Sequence, residues 1–163
     1  MFLHLAVFLF GFTGILGELI QLSAIWLVWW RALLTCLILI PVLFWEKSSW
    51  PTPKNLFRLM GVGAIVGLHW ICFYGSIKLS NSSVAMICLA TIPFFTSLFE
   101  SMIYRRSMNK TDILFSLLIL PGIILIAGGL SFDYQIGLWV GIVAAMLSGL
   151  FATLNKKYIS TAG

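Results

Sequence analysis

The chain has 163 residues, of which 61% are hydrophobic and 9% charged, with a formal net charge of +5 and a mean hydropathy of +1.06. A soluble domain carries about 25% charged residues to cover its surface, so this balance excludes a soluble fold and points to an integral membrane protein. The ten basic residues lie between apolar runs rather than on one face, which excludes a nucleic-acid surface and fits the loops of a membrane protein.

A membrane-spanning helix needs about 20 mainly apolar residues. Six windows satisfy this, at about 2–20, 24–45, 56–77, 82–104, 113–132 and 137–155. The chain is therefore expected to be all-α, a polytopic transmembrane bundle of six spans. No Lys or Arg precedes the first window and the run is too long for a signal-peptide core, so cleavage is not expected. Span one carries Gly11, Gly14 and Gly17, then Glu18 near its end. Span two places Arg31 seven residues inside, roughly 10 Å below the surface at the helical rise. The linker that follows holds Pro51 and Pro53, which end any helix. Span three has Gly63 and Gly67 one turn apart, His69 near its middle, and Trp70 and Tyr74 one turn apart. Ser80, Asn81, Ser82 and Ser83 form a polar turn whose side chains suit the cap of span four. Span four holds Pro93 deep inside, which frees the Leu89 carbonyl, with Thr91, Thr96 and Ser97 near enough to help satisfy it. Glu100 lies near its far end. Span six repeats Gly137, Gly141, Ala145, Gly149 and Thr153 at every fourth position, a stripe that lets another backbone approach closely.

With the N-terminus inside, Lys47, Lys54, Arg58, Arg105, Arg106, Lys110, Lys156 and Lys157 fall on the inner side, and only Arg31 and Lys78 on the outer half. Eight against two places both termini in the cytoplasm of a multi-pass cell-membrane protein. Trp26, Trp29, Trp30, Trp45, Trp50 and Trp139 fall near span ends, as interfacial aromatic belts do. Cys36, Cys72 and Cys88 each lie inside an apolar run without metal-ligand spacing, so neither a metal site nor a disulfide framework is expected. No HExxH, Gly-x-Ser-x-Gly or intramembrane aspartate pair is present, which argues against an intramembrane enzyme, and His4 and His69 sit at different depths, which argues against a bis-histidine haem. No cofactor is expected.

A faint internal echo links spans one and six. Gly11 to Glu18 and Gly149 to Lys156 each run seven residues from a glycine to a charged residue near the helix end. Five spans separate the copies, and an odd number inverts the second in the membrane, as in many transporters.

The ordered set of motifs resembles the drug/metabolite transporter superfamily, EamA type. The resemblance rests on the run from Phe8 to Gly17, on Trp29-Trp30-Arg31, and on His69-Trp70-Ile71-Cys72-Phe73-Tyr74-Gly75-Ser76-Ile77-Lys78. It continues through Ser82-Ser83-Val84-Ala85, Phe99-Glu100 and Tyr104-Arg105-Arg106. Glu18 and Ser101 depart from the basic residue and the proline common in the family. The resemblance implies a ten-span inverted-repeat fold in two five-span halves, and a permease that moves small metabolites, often amino acids or related polar compounds, by alternating access. On that pattern residues 1–132 form the first repeat, and residues 133–163 the first helix of a second repeat that stops at Gly163. The implied partners are the bilayer, a small-molecule metabolite, and either a missing C-terminal half or a homodimer partner. A half-transporter that is incomplete or dimer-forming, or a membrane scaffold without transport activity, are the alternatives.

Each intramembrane polar residue has two readings. Arg31 is an outer gate or a substrate carboxylate site, with Glu18 at similar depth as an ion-pair partner, or both snorkel to the interface. His69, Trp70 and Tyr74 form a cavity wall, or His69 is a neutral side chain bonded to a neighbouring helix. Pro93 kinks a helix beside the cavity, or is a tolerated membrane proline. Glu100 couples protons, or pairs at the interface with Arg58, Arg105 or Arg106.

Overall fold

A computed structural model describes residues 2–45, 51–108, 110–129 and 132–159. The linker 46–50, with Lys47 and Trp50, and the terminal Gly163 lie outside the described residues. With no water in a hydrocarbon core to satisfy peptide groups, long apolar runs must bond within themselves, and the helix is the solution here. The described chain forms seven helices, α1 (Phe2–Leu19), α2 (Ala24–Trp45), α3 (Pro53–Leu79), α4 (Ser82–Leu89), α5 (Ile92–Tyr104), α6 (Lys110–Gly129) and α7 (Phe132–Ile159). Among the described residues there is no strand. Ala24–Trp45, Pro53–Leu79, Ser82–Tyr104 and Tyr134–Tyr158 are each long and apolar enough to cross a membrane, and α1 adds the shorter apolar stretch Phe8–Leu19. The bundle is all-α and suited to a bilayer.

The expected single helix over 82–104 is instead two, α4 and α5, because the chain turns at Ala90 and Thr91. Thr91 Oγ1 donates to the Cys88 carbonyl at 2.6 Å and its N–H donates to the same oxygen at 3.0 Å. Pro93 therefore falls in the first turn of α5, where its missing donor costs little. Thr96 Oγ1 closes back on the Ile92 carbonyl at 2.9 Å. Asn81 caps α4 by accepting from the Val84 N–H at 2.9 Å.

The core sits where α7 packs against α3, α4 and α5. Gly137, Gly141, Ala145, Gly149 and Thr153 are all buried, so the stripe read in the sequence is the contact face. A Cβ at Gly141 would come within 2.8 Å of both Cys88 Sγ and Ser76 Oγ, and one at Gly149 within 2.8 Å of the Thr96 backbone nitrogen. Only glycine permits that approach. Gly63 and Gly67 differ: a Cβ at either meets nothing within 4 Å. Their side of α3 borders a hollow rather than a helix.

Two side-chain bonds pin α3 antiparallel to α7. His69 Nδ1–H donates to the Ala144 carbonyl at 2.8 Å and Ser76 Oγ donates to the Gly137 carbonyl at 2.7 Å. The partners step seven residues, two helical turns, in opposite directions along the two helices. Each such bond between membrane helices contributes about 0.6 kcal/mol on average. At the far end of these helices Lys156 Nζ and Glu100 Oε1 pair at 2.8 Å, with the Lys156 side chain 65% exposed. A pair so open to solvent stabilises by about 1 kcal/mol or less. By contrast α1 rests on α3 and α4, α2 on α3, and α6 on α5. Most large apolar side chains of α1 and α2 are exposed, as suits faces turned to lipid or to further helices.

Candidate functional site

The site is built where α2 meets α3. Trp70 and Tyr74 are four residues apart, so both rings leave α3 on one face. Arg31 crosses from α2 onto that face. Its Nη1 donates to the Tyr74 hydroxyl oxygen at 2.7 Å, and its guanidinium carbon lies 4.5 Å from the centre of the Trp70 ring. The contact is a cation–π pair, worth about 2 kcal/mol where water is scarce. Thr35, one turn past Arg31, donates to the Arg31 carbonyl at 2.8 Å. Tyr74 is fixed from behind by α1: a Cβ at Gly17 would stand 2.7 Å from its ring, so glycine there is what lets the ring stand upright beside Arg31. Phe73 packs edge-on to the same ring at 5.3 Å.

Two hollows meet at this contact. The first, about 370 Å³, lies between α1 and α2 toward the α1–α2 turn and is lined by Arg31, Tyr74, Thr13, Thr35 and apolar residues including Trp30 and Leu34. The second, about 410 Å³, lies on another face of α2, between α2 and the first two-thirds of α3, at a depth on α2 that overlaps the first, with Trp70, Gly63, Gly67, Cys36 and Phe151 in its wall. Arg31 borders the first and Trp70 the second, so the stacked pair stands between them, with Thr35 common to both. Among the described residues no carboxylate lies within ion-pair distance of Arg31.

Two contacts tie the end of α1 that borders the first hollow. Glu18 Oε2 accepts from the Ser82 N–H at 3.0 Å, and Lys78 Nζ donates to the Ile20 carbonyl at 2.5 Å. These contacts join the end of α1 to the α3–α4 turn. The Glu18–Arg31 pair expected from equal depth does not form. Depth along a span says nothing of azimuth, and the start of α4 offers Glu18 unpaired backbone donors.

The structure thus brings Arg31, Trp70 and Tyr74 together and leaves the other expected residues apart. His69 is buried against α7, stacked on Phe73 at 6.3 Å, and borders neither hollow. Pro93 is exposed and borders neither. Glu100 pairs with Lys156 of α7 rather than with Arg58, Arg105 or Arg106. Thr13, Thr35 and Trp30 line the first hollow without having been singled out for it. Thr35 was findable from its spacing to Arg31, whereas Trp30 resembled an interfacial aromatic. Among the described residues no cluster of His, Cys, Asp or Glu is arranged to hold a metal ion.

A bundle of apolar helices with two hollows meeting at a guanidinium defines a polytopic integral membrane protein. The family described as EamA-like transporter family matches residues 1–128, and the chain belongs to it. It is therefore a membrane transporter of the drug/metabolite type. No curated protein and no solved structure matches the chain.

Proposed function

We propose that the chain carries small organic metabolites across a cell membrane by alternating access, as a permease and not an enzyme. The observation that carries this reading is the Arg31–Trp70 pair between two hollows. Parting the guanidinium from the indole joins the hollows, and parting Glu18 from Ser82 and Lys78 from Ile20 frees the end of α1 beside the first hollow to move. Alternate closure of these two sets of contacts is what a carrier requires. On the distribution of Lys and Arg, that side is the outside and both termini are cytoplasmic. Residues 1–132 act as one repeat of five spans, with α4 and α5 together making the fourth, and residues 133–163, most of them in α7, begin a second, inverted one. Completing spans, or a second copy of the chain, would stand against the exposed faces of α1 and α2. The test is a metabolite survey of cells with the intact protein, with the deletion, and with Arg31→Ala. Arg31→Ala is expected to abolish whatever flux the deletion abolishes, at unchanged membrane abundance. A deletion that alters no flux retires the permease reading in favour of a scaffold.

A further inference from the structure

We propose that the first hollow is a binding site for a small organic monocarboxylate with an apolar body, held by Arg31 and Tyr74; the proposal rests on the permease reading for its purpose but not for its test. Arg31 has one hydrogen bond and one ring contact, and no described carboxylate neutralises it. No guanidinium nitrogen is both buried and unpartnered, so the remaining N–H groups open into accessible space, and Arg31 lines the hollow. The Tyr74 hydroxyl accepts from Arg31, which leaves its own proton without an acceptor among the described residues. Two donor groups thus converge on one hollow that contains no described acid.

That arrangement selects by charge. A carboxylate gains a charge-assisted fork from guanidinium nitrogens and a third donor from the phenol. An ammonium group gains no anionic partner there and meets the Arg31 charge in a poorly screened setting. Apart from Thr13 and Thr35 the rest of the wall is apolar, chiefly Leu16, Ile20, Leu22, Leu27, Trp30 and Leu34, which suits a hydrocarbon or aromatic body. A volume of about 370 Å³ is at the low end for ligand pockets, which run from about 300 to 1,000 Å³, so the ligand is small. Among otherwise similar compounds the site favours the acid without an amino group over the zwitterionic amino acid, and both over the amine.

The experiment is equilibrium binding to the purified full chain in lipid nanodiscs, read by tryptophan fluorescence, with Trp70 and Trp30 as nearby reporters. The probes are 3-phenylpropanoate, phenylalanine, 3-phenylpropanamide and phenethylamine, which share a body and differ in charge. The acid is expected to bind at least tenfold tighter than the amide and the amine. Arg31→Gln should weaken the acid tenfold or more and leave the amide unchanged, and Tyr74→Phe, which keeps the ring and its packing on Gly17, should weaken the acid roughly fivefold. Equal binding of acid and amine, or acid binding indifferent to Arg31→Gln in a variant whose melting matches the parent, overturns the site. Because binding is read apart from flux, a chain that binds the acid through Arg31 but carries nothing retires the permease reading and leaves this site standing. A chain that carries metabolites but ignores the charge of these probes does the reverse.

Discussion

At the scale of single residues, position along a helix was readable and direction around it was not. Arg31, Trp70 and Tyr74 stood out because charged and amphipathic side chains inside apolar windows are costly unless something receives them. His69 stood out for the same reason, yet its ring faces α7. Its Nδ1–H is taken by the Ala144 carbonyl and its face by Phe73. His69→Ala removes an interhelical hydrogen bond and leaves a void between α3 and α7. A loss of about 2–4 kcal/mol is expected. Membrane abundance and transport should then fall in equal proportion, with transport per folded molecule unchanged, as quantitative blotting beside flux measurement would read. A histidine that faced the pathway would lose transport well beyond abundance. The two outcomes could not be separated from sequence, because the turn that aims His69 at α7 is set by α7 packing on α3, a contact between residues 75 positions apart.

At the scale of helices, the apolar windows located the spans, matched α2 at both ends, and trimmed both ends of α3 and α7. Pro53 to Asn55 and Lys156 to Tyr158 are helical although polar, since backbone bonding continues past the last apolar side chain into the interface. The break between α4 and α5 was half legible: Pro93 marked the place, but the stop two residues earlier depends on Thr91 folding back onto Cys88. Glycine stripes were less discriminating still, since α3 and α7 both carry them and only α7 uses its stripe for close contact. The difference gives a paired test. Gly149→Ala puts a methyl group within 2.8 Å of the α5 backbone at Thr96, which has no side-chain freedom to yield. Overpacking of this kind costs about 1–3 kcal/mol, and the melting temperature in detergent should fall by several degrees. Gly63→Ala and Gly67→Ala meet open space instead. Each should be neutral or stabilise the helix by up to about 1 kcal/mol, from the lower backbone entropy of alanine in the unfolded chain. A Gly63 variant as unstable as the Gly149 variant would mean that the hollow beside α3 is filled.

At the scale of the whole molecule, the contacts fix which ends lie together, and the charges suggest which way the bundle faces. Lys78 on Ile20 and Glu18 on Ser82 gather the α1–α2 and α3–α4 turns at one end, with Ser80 against Gly137 bringing the start of α7 beside them. The Glu100–Lys156 pair, with the Arg58–Tyr158 and Arg106–Tyr104 contacts at 5.5 and 5.8 Å, marks the other. The second end holds most of the basic side chains, and translocation of such segments is disfavoured, so it should remain in the cytoplasm. Single cysteines at Ser83 and Ser107, in a chain whose Cys36, Cys72 and Cys88 are replaced by alanine, read this directly. Cys88→Ala removes only a buried sulfur and its weak donation to the Leu138 carbonyl at 3.5 Å, a change small enough for the fold to keep. An impermeant maleimide applied to whole cells should label Ser83→Cys at once and Ser107→Cys only after permeabilisation. The opposite order would turn the carrier over and make the Arg31 hollow open to the cytoplasm. Labelling of both positions from both sides would establish a mixed population, and the one-sided charge would then have failed to set direction, which is the condition an antiparallel pair of these chains would need.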